Sequence, residues 1–417
     1  MSPSGREVGQ NPGMFTRNMV RVAVLLAACG GDDDDVTDAD ASPPVADAAV
    51  AAPDAAPDAA PACPFALPAA NRARYVVVSH PFGADGTQAN AYEVWDLSIT
   101  GELSLGGATF EMGRASNGAI AFRPDGTIGV VAQGDGTLGV FRLDDTGQPT
   151  VVHAGYAGAF YADSVVFDPT DPDLVYVLDN QWANNGGGIY AVRLACDGSV
   201  ASEQRILEAK LPSAIAFASP DRALLAAEQI GAGQPNFDAH LLDWSPSSPT
   251  VAASADAFAD DDAIRASAAV TPDGLFFLVG DNSSFSKAPN RVGVLAVGDS
   301  SLVPIQVLEP IEDPFAIVAS PFGTSAIVVS GFGDEIIELS YNPTSTPPFA
   351  IVGQLAALPL PGKAVMIERG DLTGLVLISE NLGVHRVMFS ADDATDLGAT
   401  TRASGLDNIV GAVGVQP

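Results

Sequence analysis

The chain has 417 residues, 47% of them hydrophobic, with 19 Lys and Arg against 51 Asp and Glu and a formal net charge of −32. That length allows a sizeable core, and the polyanionic balance argues against binding a nucleic-acid backbone. Gly at 42 and Pro at 31, with no long stretch of 3.6-residue apolar period, predict a turn-rich chain without a helical domain.

The first element is a targeting segment. Arg17 and Arg21 form a basic region, Val22 to Ala28 is a short apolar run, and the run ends Leu26-Ala27-Ala28-Cys29. This resembles the lipobox of bacterial lipoproteins. The resemblance implies acylation of Cys29, removal of residues 1–28, and a lipid anchor in the cell envelope. Gly30, where an Asp would signal inner-membrane retention, points to the outer membrane. Met14 is an alternative start. A buried apolar strand ending in an incidental cysteine is the other reading. Residues 30–62 hold nine Asp and no basic or aromatic residue, so they cannot bury enough apolar area to offset chain entropy. They are expected to form an extended, disordered Ala/Asp/Pro tether. Residues 1–28 carry +2 and residues 30–62 carry −9, which leaves −25 on residues 63–417. The organisation expected is a signal peptide over 1–28, a lipidated tether over 29–71 and one folded domain over 72–417.

That domain is repetitive. NGAIAFRPDG at 117–126 recurs as ADSVVFDPTD at 162–171, PSAIAFASPD at 212–221, RASAAVTPDG at 265–274, PFAIVASPFG at 314–323 and GKAVMIERGD at 362–371. Each copy is followed by a second apolar run, a third after a loop, and a weaker, more polar fourth. Four strands at a period near 50 residues predict β-propeller blades, with the continuous apolar first and second runs central and buried on both faces and the polar fourth at the rim. Residues 74–113 supply a second, third and fourth strand with no first. Asp407–Val415 has the first-strand pattern with no successors. Joined, the two ends complete a blade. The fold class expected is all-β, a seven-bladed propeller closed by its C-terminal strand; a pair of β-sandwiches is the alternative.

The run VVAQGDGTLGVFRLD, Val130–Asp144, resembles the bacterial YVTN-type propellers and the propeller of the 6-phosphogluconolactonase family. The resemblance spans about residues 114–390 and implies the fold. No catalytic residue of the lactonase family maps onto a local motif of this chain.

A binding face is expected where the second-to-third-strand loops and the entries to the first strands meet, called here the top. The loops at 79–91, 179–188, 228–239 and 281–291 are long and carry His80, Trp182, Phe237 and Phe285. An acid followed by an amide closes four second strands, at Asp179-Asn180, Glu228-Gln229, Asp281-Asn282 and Glu380-Asn381. Converging carboxylates of this kind can hold Ca²⁺, bind a sugar or cation, or do acid–base work; capping of the hairpins is the structural alternative. The first-strand entries add Asn117, Asp163, Ser213, Arg265, Asp313, Lys363 and Asn408, of which Arg265 and Lys363 are basic. His80, Asp179, Trp182, Glu228, Arg265, Asp281, Lys363 and Glu380 are therefore the candidate ligand-binding residues. The four histidines fall in different repeats without zinc-ligand spacing. GDGTLG at 134–139 fits a phosphate-loop pattern but lies in a hairpin. Asp168, Asp171 and Asp173 look like part of a Ca²⁺ loop but read better as turn chemistry.

Cys63 and Cys196 remain once Cys29 is lipidated, and in an oxidising envelope they are expected to pair, fixing the start of the domain to the bottom face. The spread of candidates favours a monomeric lipoprotein whose top face binds a protein partner or small ligand. The other reading is a lactonase-like hydrolase of a sugar lactone or related ester in the periplasm. The two are separated by whether acid, base and electrophile converge in one pocket.

Overall fold

The structure, a computed structural model, describes residues 63–83, 87–115, 118–180, 187–258, 265–282, 290–401 and 410–417, with only the backbone of Arg265 and Ala266. Contacts divide the chain into residues 1–60 and 61–417. The expected signal peptide, Cys29 and most of the tether lie outside the described residues, as do Asn117, Trp182, Phe285 and Asn408.

Seven antiparallel sheets follow in chain order, with no helix among the described residues. Blade 1 holds β1 (Arg74–Phe82), β2 (Gln88–Leu97), β3 (Leu103–Ser104) and β4 (Thr109–Glu111); blade 2 holds β5 (Ile120–Phe122), β6 (Ile128–Ala132), β7 (Leu138–Leu143) and β8 (Pro149–Tyr156). Blade 3 is β9 (Ala162–Phe167), β10 (Leu174–Asp179), β11 (Gly188–Leu194) and β12 (Val200–Leu207). Blade 4 opens with β13 (Ala209–Lys210), continues with β14 (Ala214–Ser219) and β15 (Arg222–Ala226), and after β16 (Gln229–Ile230) ends with β17 (Ala239–Asp243) and β18 (Thr250–Ala255). Blade 5 is β19 (Arg265–Val270), β20 (Phe276–Asp281), β21 (Arg291–Val297) and β22 (Leu302–Leu308); blade 6 is β23 (Pro314–Ala319), β24 (Ser325–Ser330), β25 (Glu335–Tyr341) and β26 (Phe349–Ala357). Blade 7 is β27 (Ala364–Met366), β28 (Leu375–Glu380), β29 (Gly383–Phe389) and β30 (Ala394–Thr401), and β31 (Val413–Val415) returns to blade 1.

The expected architecture is the one observed, a seven-bladed propeller. β31 pairs antiparallel with β1, Val76 opposite Val415 and Val78 opposite Val413, and supplies the first strand that blade 1 lacks. The close approach needs a glycine: a Cβ on Gly414 would lie 2.5 Å from Ile120 Cγ2, in the first strand of blade 2. Ser379 Oγ donates to Gly411 O at 3.0 Å, so blade 7 grips the closing segment from the other side.

Burial explains the second strands of the repeat, whereas first strands such as β14 and β27 are only partly buried, not covered on both faces as expected, because they line the centre of the ring. Every residue of β6, β10, β24 and β28 is buried, because a second strand is covered by the neighbouring blades on both faces. A continuous apolar run there is worth about 1.5–3 kcal/mol per large side chain. The fourth strands β22, β26 and β30 are mostly exposed. They are less polar than expected, since Val303, Ile305, Val307 and Val352 all face outwards; Pro304 within β22 removes one donor from that rim. Two features were not foreseen: the fourth strand of blade 1 is broken into β3 and β4, and β13 pairs with β16 as a small ribbon beside blade 4.

The bottom turns absorb much of the negative charge. Asp125 Oδ1 accepts from the Thr127 amide at 3.0 Å and its hydroxyl at 2.8 Å, and Asp144 accepts from the Thr146 and Gln148 amides. Asp168 accepts from the Thr170 and Asp171 amides, both at 2.7 Å, and from the Tyr176 hydroxyl. The Asp168–Asp173 segment is thus turn chemistry, and Gly134–Gly139 spans a β6–β7 hairpin turn closed by Gln133 N to Thr137 O.

Cys63 and Cys196 form a disulfide. Residues 63–73 run from it along the bottom face. Phe65 lies 5.7 Å from the Arg123 guanidinium of blade 2, and Arg369 of blade 7 donates to Pro68 O at 2.8 Å. Arg74 donates to Ala70 O at 2.7 Å and to Arg369 O at 3.0 Å. This strap links the turns of blades 3, 2, 1 and 7.

Candidate functional site

The first strands enter the ring from the top, so the residues just before or at their starts stand around the mouth of the central channel. Lys363 precedes β27 and is held there by Ser379 N donating to its carbonyl at 3.0 Å. Asp163 is the second residue of β9, beside Asp179 at the end of β10. Asp313 precedes β23 with φ 48°, in the left-handed region, and its Oδ2 accepts from the Phe332 amide at 3.1 Å.

These three influence one another electrostatically. Blades 7 and 3 lie on opposite sides of the ring, yet the Lys363 amine and the Asp163 carboxyl interact electrostatically, as do Lys363 and Asp313 of the adjacent blade 6. Lys363 Nζ also sits 5.0 Å from the Phe315 ring centre. Asn180 hydrogen-bonds to Asp163, and Asp179 adds a second carboxylate beside it.

Lys363 and Asp163 are both partly buried. Burial lowers the Lys363 pKa from the usual amine range, against the pull of Asp163 and Asp313. Burial likewise raises that of Asp163; Asp179 adds to the rise, while Lys363 and Asn180 oppose it. Burial thus pushes both groups towards their neutral forms.

The other candidates are spread around the mouth and committed to neighbours. Asp281 is fully buried, and its Oδ2 accepts from Arg291 Nε at 3.1 Å, the guanidinium stacking 4.4 Å over Phe258. Glu228 pairs with Lys210 on the β13–β16 side of blade 4. Glu380 lies 3.7 Å from His385 Nδ1, whose Nε2 is 2.7 Å from Asp396. His80, expected on a top loop, instead lies within β1, 2% exposed, with Nε2 3.2 Å from Glu93. Asp179 is buried within the mouth cluster, Arg265 opens β19, and Trp182 is outside the described residues. Among the described residues no three His, Cys, Asp or Glu side chains are grouped to hold a metal ion. The acid-amide pattern thus marks hairpin ends, and one of its four copies, Asp179-Asn180, reaches the cluster. Asp163 and Asp313 were visible in the sequence as first-strand entries; nothing there singled them out from the other five.

No family model matches the sequence, and no curated protein does. Solved structures share the fold. A candidate 6-phosphogluconolactonase from Bacteroides fragilis NCTC 9343 superposes with a TM-score of 0.59 at 11% identity, over 84% of this chain and 99% of its own. One from Bacteroides uniformis ATCC 8492 gives 0.58 at 11% identity, over 82% and 99%. The periplasmic gluconolactonase of Pseudomonas aeruginosa gives 0.56 at 14% identity, over 81% and 99%.

Proposed function

We propose that the protein is a lactonase-like hydrolase acting on a sugar lactone or related ester at the mouth of the propeller channel. What carries this is the electrostatic coupling of Lys363 with Asp163 and Asp313, which stand at first-strand entries of three blades. A binder can spread its contacts over separate loops, whereas hydrolysis needs acid and base in one place. The fold likeness to proteins named as lactonases supports the reading, and the buried amine and carboxyl supply its chemistry. Water adds to the lactone carbonyl while a basic group at the site takes its proton. The ring acyl C–O bond then breaks, and the leaving oxygen receives a proton, giving the hydroxy acid. Asp163 and Lys363 are the groups placed to hold those protons, and Asn180 orients the carboxyl of Asp163.

In this reading the lipobox-like run ending at Cys29 anchors the enzyme, as a monomer, to the outer membrane of the cell envelope. Incorporation of labelled palmitate that is lost in Cys29→Ser tests the anchor separately from activity.

The activity test is proton release from glucono-1,5-lactone above the spontaneous rate, with Lys363→Met and Asp163→Asn as variants. Each variant should lose about 100-fold or more in kcat while its unfolding midpoint shows it folded. Turnover that survives both changes, or no turnover by the native protein on any lactone, sinks the proposal.

A further inference from the structure

We infer that the tops of blades 6 and 7 form an apolar shelf, and that the lactone this site takes carries an alkyl chain that lies on it; this rests on the hydrolase reading. Three loops are laced together there. The Leu360 amide donates to Asp334 Oδ1 at 2.8 Å, the Leu358 amide to Asp334 O at 2.8 Å, and the Asn381 amide to Pro359 O at 3.0 Å. Each loop presents one exposed apolar side chain: Phe332 at 46%, Leu360 at 48% and Leu382 at 38%. Leu360 is held at φ 49°, a left-handed conformation costly for so bulky a residue. Gly or Asn would turn the chain there with less strain, so what the leucine supplies is its side chain.

The shelf runs into the site. The Phe332 amide donates to Asp313 Oδ2 at 3.1 Å, and a Cβ on Gly331 would lie 3.2 Å from Phe315 Cδ2. The Phe315 ring in turn lies 5.0 Å from Lys363 Nζ. A lactone whose carbonyl accepts from that amine has Phe315 beside its ring, and an alkyl substituent that continues onto Phe332 and Leu360 leaves water. Three side chains are too few to seat a protein partner, which needs about 800 Å² on each side. Glu312 and Asp334 are exposed in the same loops and disfavour an anionic occupant such as a free fatty acid.

The test is a series of δ-lactones with one-, three- and five-carbon side chains, with glucono-1,5-lactone beside them. KM for the native protein should fall about twofold per added methylene, roughly half the logarithmic gain of full burial, because one side of the chain stays in water. Phe332→Ser and Leu360→Asn should each flatten that slope. Asn tolerates positive φ, so Leu360→Asn should melt at or above the native temperature, which separates a lost contact from a lost fold. A KM that ignores chain length, a slope that survives in either variant, or hydrolysis of glucono-1,5-lactone alone overturns the shelf and leaves the hydrolase reading standing. Hydrolysis of none of these lactones overturns both.

Discussion

Lys363 of blade 7 and Asp163 of blade 3 interact across the central channel although 200 residues and half the ring separate their strands. Removing one should therefore be felt at the other. In Lys363→Met the attraction that holds the Asp163 pKa down is lost, so that pKa should rise further. A folded pKa above the unfolded one stabilises below the unfolded value, near 4, and the contribution is lost as pH rises through the folded value. The stability of the variant relative to the native protein should thus fall between pH 5 and pH 8. Denaturant melts at the two pH values check this; a deficit of equal size at both would mean the amine acts only by packing.

His385 gives a second pH dependence. Burial lowers its pKa, but Glu380 at 3.7 Å and Asp396 at 2.7 Å together outweigh burial, and the net shift is upwards. Its contribution is then complete below the ordinary histidine value near 6.5 and fades as pH climbs through the folded value. His385→Gln should cost stability at pH 5.5 and close to nothing at pH 9. The histidine ring signals, followed by NMR through the same range, give the titration directly.

The Cys63–Cys196 bridge closes a loop across a sequence separation of 133. Chain entropy alone assigns such a loop roughly 5 kcal/mol. Reductant should lower the melting temperature of the native protein and leave a Cys63→Ser, Cys196→Ser double variant unmoved. Phe65 and Pro68 sit on the strap that the bridge secures, so protease should then cut near residues 63–73 first.

Ring closure depends on Gly414. A valine there would place its Cβ 2.5 Å from Ile120 Cγ2 and 2.9 Å from Ile120 O, and the backbone oxygen has little room to yield. Gly414→Val should cost about 2–3 kcal/mol. Hydrogen exchange should show the loss first at Val76–Val78, the residues β31 covers, before the middle blades. Uniform loss of protection in all seven sheets would mean that the ring opens only as a whole.

The blade count, the order of strands within each blade and the joining of the two chain ends are set by the sequence itself. A second strand enclosed by two neighbouring blades must be apolar at every position, as Leu375–Ile378 is, and that run repeats at a fixed interval in any blade that closes a ring. The pairing of Cys63 with Cys196 was legible for a similar reason, since a bottom turn and the start of the first described strand fall on one face. The site was legible only as a set of seven equivalent first-strand entries. Which of them interact is decided by the three-dimensional path of the ring, which leaves no local pattern. Lys363, Asp163 and Asp313 belong to three separate repeats, and the curvature of the ring brings Lys363 of blade 7 within electrostatic reach of Asp163 of blade 3. Tertiary structure likewise decided that Asp281 and Glu228, which look alike in sequence, are spent on Arg291 and Lys210, because a buried carboxylate needs a cation and the nearest one comes from the next strand or ribbon.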